Sequence, residues 1–83
     1  MNKILLDARE MEHPEPLQIS LSHLQTMSDK EYLYMLNIRK PIPLIEIAKE
    51  RGFVYLSHKD SSEIWHILIS KNQEHTLEEF LDV

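Results

Sequence analysis

The pattern of apolar and polar positions divides the first half of the chain into short, distinct elements. Residues 3–8 form an apolar run typical of a strand. Leu17, Leu21 and Leu24 then recur at the spacing of one helix face, which predicts an amphipathic helix ending near residue 26. Residues 31–38 are rich in aromatic and apolar side chains but too few for a buried helix, so they predict a second strand.

A comparable series of elements follows the polar, proline-containing break at residues 39–43. Pro43 can open a helix that ends near Gly52, because proline is tolerated in the first turn and glycine suits the position after the last. Residues 53–58 and 63–71 predict two strands joined by a polar turn. Thr76 and Glu79 have the spacing of a capping box, so one short helical piece is expected near the C-terminal end.

The order β-α-β-α-β-β predicts an α+β fold of two layers. We expect a two-layer α/β sandwich in which a mixed four-stranded sheet carries both helices on one face. The 83 residues suit a single small domain. We assign residues 1–71 to the sandwich and residues 72–83 to a C-terminal tail.

Two of the predicted strands have apolar side chains on both faces. In residues 63–71, one parity holds Trp65, Ile67 and Ile69, and the other holds Ile64, His66 and Leu68. A strand with helices on one side and water on the other should alternate apolar with polar side chains. We therefore expect the face away from the helices to be partly apolar and to bind a protein partner or a second copy of the chain. The alternative is the ordinary apolar content of a protein surface.

Composition excludes several classes of function. The chain has no cysteine, which excludes disulfides, thiolate metal sites and a cysteine nucleophile. Nine basic against fourteen acidic residues argue against a protein that binds nucleic-acid backbones. No apolar run approaches the roughly 20 residues needed to cross a bilayer, and the start is unlike a signal peptide. We expect no nucleic acid and no membrane partner, and a cytoplasmic location.

Residues 6–17, LDAREMEHPEPL, end the first strand and open the first helix with two prolines. This segment resembles the signature of the bacterial TusA/SirA-like sulfur carriers, in which Asp-Ala-x-Gly-Leu is followed by Cys-Pro-x-Pro. His13 stands where those carriers have the persulfide cysteine, so the resemblance implies the fold without the persulfide relay. The fuller pattern, with Arg39-x-Pro41, is closer to a cysteine-less prokaryotic branch of unknown function, found alone or joined to other domains such as hemerythrin-like ones. The resemblance covers about residues 3–71.

The start of the first helix is the candidate ligand or partner site. It comprises His13, Pro14, Glu15 and Pro16, together with Arg9 and Arg39. The positive end of a helix favours a neutral imidazole at His13, which can bind haem or a metal, whereas the neighbouring glutamates favour imidazolium. Two arginines beside helix N-termini would suit a small anion. The alternatives are that the His13 ring bonds to the backbone and that the arginines pair with Glu10, Glu12 or Glu15.

Two hypotheses for function remain, and neither is an enzyme. The other histidines show no metal-ligand spacing, so no metal site is predicted among His23, His58, His66 and His75. No combination of nucleophile and base is visible either. The first hypothesis is a non-catalytic protein-interaction or accessory module without a resident cofactor. The alternative is a small redox-accessory domain that binds haem, a metal or an anion at His13.

Overall fold

The computed structural model describes residues 1–74 and 76–83, so His75 lies outside the described residues. Its elements are β1 (Asn2–Asp7), α1 (Glu15–Thr26), β2 (Glu31–Asn37), α2 (Ile42–Glu50), β3 (Val54–Lys59), β4 (Trp65–Ser70) and a 3₁₀ helix (Leu77–Phe80). The order confirms the predicted β-α-β-α-β-β arrangement. Within the described ranges, no helix has the length and apolar character that crossing a bilayer requires.

The sheet is mixed, with the strand order β1-β2-β4-β3. β1 pairs with β2 in parallel, whereas β4 pairs antiparallel with both β2 and β3. Parallel neighbours need a crossover connection, and α1 supplies it between β1 and β2. The carboxyl ends of β1 and β2 therefore lie at the same edge of the sheet, and the segments leading to α1 and α2 both leave from that edge.

The main core lies between the helices and one face of the sheet. It contains Leu24 and Met27 from the α1 region, Leu44 and Ala48 from α2, and Leu33, Met35, Ile67 and Ile69 from the sheet. The predicted stripe of α1 is right for Leu24, whereas Leu17 and Leu21 are only half-buried. Both nevertheless pack against this core, and Ser20 beside them is fully buried. Both helices thus cover one face, as predicted.

The second face of the sheet is also apolar, and the same chain covers it. Tyr32, Tyr34 and Leu68 form a buried cluster with Leu77 of the C-terminal region. We call residues 77–82 the strap. The predicted apolar second face is therefore present with the strap lying on it, and a protein partner for this face stays a prediction.

The β3–β4 turn corrects one predicted boundary. We expected the last strand to begin at Glu63, but β4 begins at Trp65. The reason is the Asp60 side chain, whose Oδ1 accepts the backbone N–H of Ser62 at 2.8 Å and of Ile64 at 3.0 Å. Glu63 meanwhile adopts a left-handed φ of 66°. The turn therefore extends two residues further than its polar sequence indicated.

The capping box predicted before the C-terminal helical piece is wrong. Thr76 makes no side-chain cap hydrogen bond. The turn is closed instead by the backbone, because Glu79 N–H donates to the carbonyl of Thr76 at 3.2 Å. A helix of four residues leaves little room for reciprocal capping, and it stays 3₁₀.

Candidate functional site: a cleft at the two helix starts

A cleft of about 550 Å³ opens at the edge of the sheet where β1 and β2 end. Its apolar part is made by Met11, Leu17, Met35 and Leu44, which come from both helices, from β2 and from the segment before α1. Open α/β sheets commonly bind ligands beyond the carboxyl ends of their parallel strands. The topology thus brings together the segment that leads into α1 and the segment that leads into α2, which lie about thirty residues apart in the sequence.

Both helices begin beside this cleft. α1 has Pro16 in its first turn and α2 has Pro43, and both prolines line the cleft. Neither helix start has a side-chain cap. The first backbone N–H of each helix already bonds to a preceding carbonyl, that of Glu15 to Glu12 and that of Ile42 to Lys40. What the two starts bring to the cleft is the partial positive charge of the helix dipoles, which favours a negative group.

The charged side chains around the opening are mostly cationic. Arg39 is exposed there and makes no ion pair or hydrogen bond with any residue that the structure describes. Lys40 also lines the opening, with its Nζ 5.4 Å from the centroid of the Trp65 ring. Glu12 is the one carboxylate among the lining residues. The balance of fixed charge favours an anion.

His13 lies at the opening, directly before α1, and shares the cleft with Arg39. Its side chain is exposed and has no hydrogen bond within the described part of the chain, so the backbone bond considered from the sequence does not form there. Pro14 and Glu15 are exposed at the start of α1 and do not line the cleft. Pro16 is buried and does.

Arg9 does not line the cleft but pairs with Asp7. Arg9 Nε donates to Asp7 Oδ1 at 2.8 Å, and its Nη2 donates to Oδ2 at 2.7 Å. This bidentate pair lowers the pKa of Asp7 to about 2. The alternative that Arg9 pairs with a neighbouring glutamate is wrong, because Asp7 lies only two residues away and takes both hydrogen bonds. The predicted arginine pair beside His13 is therefore reduced to Arg39 alone.

A buried chain of hydrogen bonds on the second sheet face was missed by sequence reasoning. His66 is buried, and its Nε2 lies 2.8 Å from Asp60 Oδ2. Its Nδ1 lies 2.6 Å from the hydroxyl oxygen of Tyr34. The same oxygen accepts the backbone N–H of Asp82, in the strap, at 2.9 Å. Asp60, His66 and Tyr34 thus link the β3–β4 turn to the strap.

One protonation pattern satisfies every side chain in this series of hydrogen bonds. Tyr34 donates its proton to Nδ1 of a neutral His66, and Nε2–H then donates to the Asp60 carboxylate. The bond to His66 and the backbone N–H of Ile64 hold the pKa of Asp60 below its usual range. Burial raises the pKa of Tyr34. Each of these effects keeps Asp60 ionised and Tyr34 protonated.

The register of the sheet explains why the sequence alone did not reveal these hydrogen bonds. Leu36 pairs with His66 and Tyr34 pairs with Leu68 across β2 and β4. Tyr34 and His66 are therefore diagonal neighbours on one face, within reach of long side chains. The sequence shows which residues alternate along each strand. It does not show which strands pair or in what register, and these decide that Tyr34 meets His66.

The described residues contain no group of three or more His, Cys, Asp or Glu side chains placed to hold a metal ion. The fold and this cleft define a small α+β domain that has an open, mainly cationic cleft at its helix starts and no cysteine in its sequence. The chain belongs to the family described as "Uncharacterized conserved protein (DUF2249)", whose model matches residues 5–71. No curated protein and no solved structure matched it. The likeness to the sulfur carriers stays a prediction.

Proposed function

We propose that this chain is a non-catalytic protein-interaction or accessory module whose docking site is the cleft. The observation that carries the proposal is the combination of an apolar floor with an unpaired Arg39 at the opening. A partner segment that presents an apolar side chain next to a carboxylate would complement both parts. The apolar group would be desolvated against Leu17 and Leu44, and the carboxylate would meet the guanidinium and the two helix starts.

A TusA/SirA-like origin fits this proposal. Segment 6–17 and the element order support it, and His13 takes the position of the persulfide cysteine. Without a thiolate the position cannot carry sulfur. The cleft next to this position, with His13 and Arg39 at its opening, would then serve for docking alone.

The proposal is tested with a matched pair of peptides and amide NMR of the full chain. The acidic probe is acetyl-Leu-Asp-Asp-Leu-amide, and the control replaces both aspartates with asparagine. We expect saturable shifts at the amides of Leu17, Arg39 and Leu44 with the acidic peptide, and binding at least tenfold weaker with the control. A tenfold difference corresponds to about 1.4 kcal/mol.

Charge reversal at Arg39 supplies the second arm of the test. We expect Arg39→Glu to weaken binding of the acidic peptide at least tenfold. Arg51→Glu is the matched control, since it makes the same charge change at an exposed position at the far end of α2. Equal effects of the two substitutions, or shifts that avoid the cleft, would count against the proposal.

A further inference from the structure

The second face of the sheet offers a separate docking surface, which the strap occupies. Phe80 stacks on Tyr32 with ring centroids 4.8 Å apart, and Leu77 is buried in the same cluster. Asp82 adds two polar anchors: its carboxylate pairs with Lys3 Nζ at 2.5 Å, and its backbone N–H donates to Tyr34. The strap thus binds by three apolar side chains, those of Leu77, Phe80 and Leu81, followed by an acidic residue.

The strap lies on the sheet without belonging to it. All strand ladders run among β1, β2, β3 and β4, and the strap contributes a four-residue 3₁₀ helix laid across their face. The helix-side core is built without any strap residue. Segments held by few contacts and no ladder open at lower free energy than the core does. We therefore expect the sheet and its helix layer to form without the strap.

The polar anchors that receive the strap are held in place by residues outside it. The Tyr34 hydroxyl is oriented by His66, and His66 is oriented by Asp60 in the β3–β4 turn. Lys3 projects from β1, with its Nζ 4.6 Å from the centroid of the Tyr34 ring. A site whose donors and acceptors are already positioned loses less entropy when a segment binds. The face is therefore preorganised as a receptor.

We propose that this face is a docking surface for a partner-protein segment with the strap's own pattern, a leucine and an aromatic residue three positions apart followed by an acidic residue. The strap occupies the surface in cis and competes with the partner. An attached segment acts at an effective concentration of about millimolar, so the partner must bind more tightly than the strap or meet a chain whose strap is weakened. Lys3 on this face supplies the positive charge that the partner's acidic residue would pair with, as it now pairs with Asp82. This surface is distinct from the cleft and does not rest on its function.

The test uses the full chain with the strap weakened by Leu77→Ser and Phe80→Ser. The probe is a synthetic peptide of residues 76–83, TLEEFLDV, and the control peptide has serine in place of its leucine and phenylalanine at positions 77 and 80. Amide NMR should show saturable shifts at Lys3, Tyr34 and Leu68 with the probe. We expect binding at least tenfold weaker for the control peptide, and at least tenfold weaker for the probe when the strap is intact.

Two further outcomes bear on the proposal. Adding Lys3→Glu to the weakened chain should reduce binding of the probe at least fivefold, because its aspartate loses the cation. The proposal fails if the weakened chain is folded but does not bind the probe up to millimolar concentration. It also fails if that chain is unfolded, since the receptor face must form without the strap. A concentration-dependent dimer of the unaltered chain that the strap substitutions abolish would replace the partner by a second copy.

Discussion

Removal of the Tyr34 hydroxyl should lower the free energy of unfolding substantially, although only one oxygen atom is lost, because two hydrogen bonds depend on it. In Tyr34→Phe the ring keeps its packing, but the N–H of Asp82 loses its acceptor and Nδ1 of His66 loses its donor. Tyr34 is 1% exposed and His66 is also buried, so bulk water has no ready access to the His66 Nδ1 that loses its donor, whereas Asp82 is exposed. A buried polar group left unpaired costs about 1–3 kcal/mol. Because the phenyl ring gains slightly from the lost polarity, we expect a net loss of about 2 kcal/mol.

This loss is measurable by two denaturation methods. In a domain of this size, 2 kcal/mol lowers Tm by about 8–16 °C, and it should lower the urea midpoint without changing the m-value. The matched control is Tyr55→Phe, which removes the same hydroxyl from a ring that is 41% exposed on β3. We expect the control to change stability by less than about 0.5 kcal/mol.

The pH dependence provides an independent measure of the same group. Burial raises the pKa of Tyr34 above its ordinary value of 10.0. The unfolded chain therefore ionises first as the pH rises past 10, and stability falls with increasing pH until the folded-state pKa is passed. Tyr34→Phe should remove this part of the alkaline slope. Equal stability losses for the Tyr34 and Tyr55 variants, together with an unchanged alkaline slope, would refute the hydrogen-bond chain.

Three other substitutions test separate parts of the fold by urea denaturation. Ser20→Ala should be neutral or stabilising by up to about 1 kcal/mol, because the buried Ser20 hydroxyl has no hydrogen-bond partner among the described residues. Gly52→Ala should cost about 1–2 kcal/mol, since Gly52 has a φ of 75°. For Asp60→Asn we follow pH: the pKa of Asp60 is lowered from 3.8, so its contribution is present above pH 4 and lost as the pH falls further. The variant should show a flatter acid slope than the unaltered chain.

The fold was predictable from the sequence because local pattern and global architecture agree. Pro16 and Pro43 open the two helices, and Gly52, with its left-handed φ, follows α2 where a glycine was expected. The two-sided apolar strands correctly predicted an apolar second face. The cover of that face could not be predicted, because the strap is bound by contacts between residues far apart in the sequence, such as Tyr32 with Phe80.

The candidate site was predictable only in part, for a similar reason. His13 and Arg39 could each be placed at a helix start from the sequence. That they share one cleft follows from the parallel pairing of β1 with β2, which the residues alone do not specify. Arg9 shows the opposite failure. Its partner Asp7 is so near in sequence that a local hydrogen bond competes with any distant ligand.

The polar groups on the strap side of the sheet are paired, whereas His13 and Arg39 at the cleft are not paired with any described residue, and this contrast supports the proposed docking site. On the strap side, Asp60, His66 and Tyr34 satisfy one another. At the cleft, both helix starts lack side-chain caps, and Arg39 and His13 have no polar partners within the described chain. A cap would stabilise each helix by about 1 kcal/mol. Sequences that leave such stabilisation unused concentrate the loss at functional sites, where a ligand supplies the missing groups. The cleft is where a bound carboxylate would restore them.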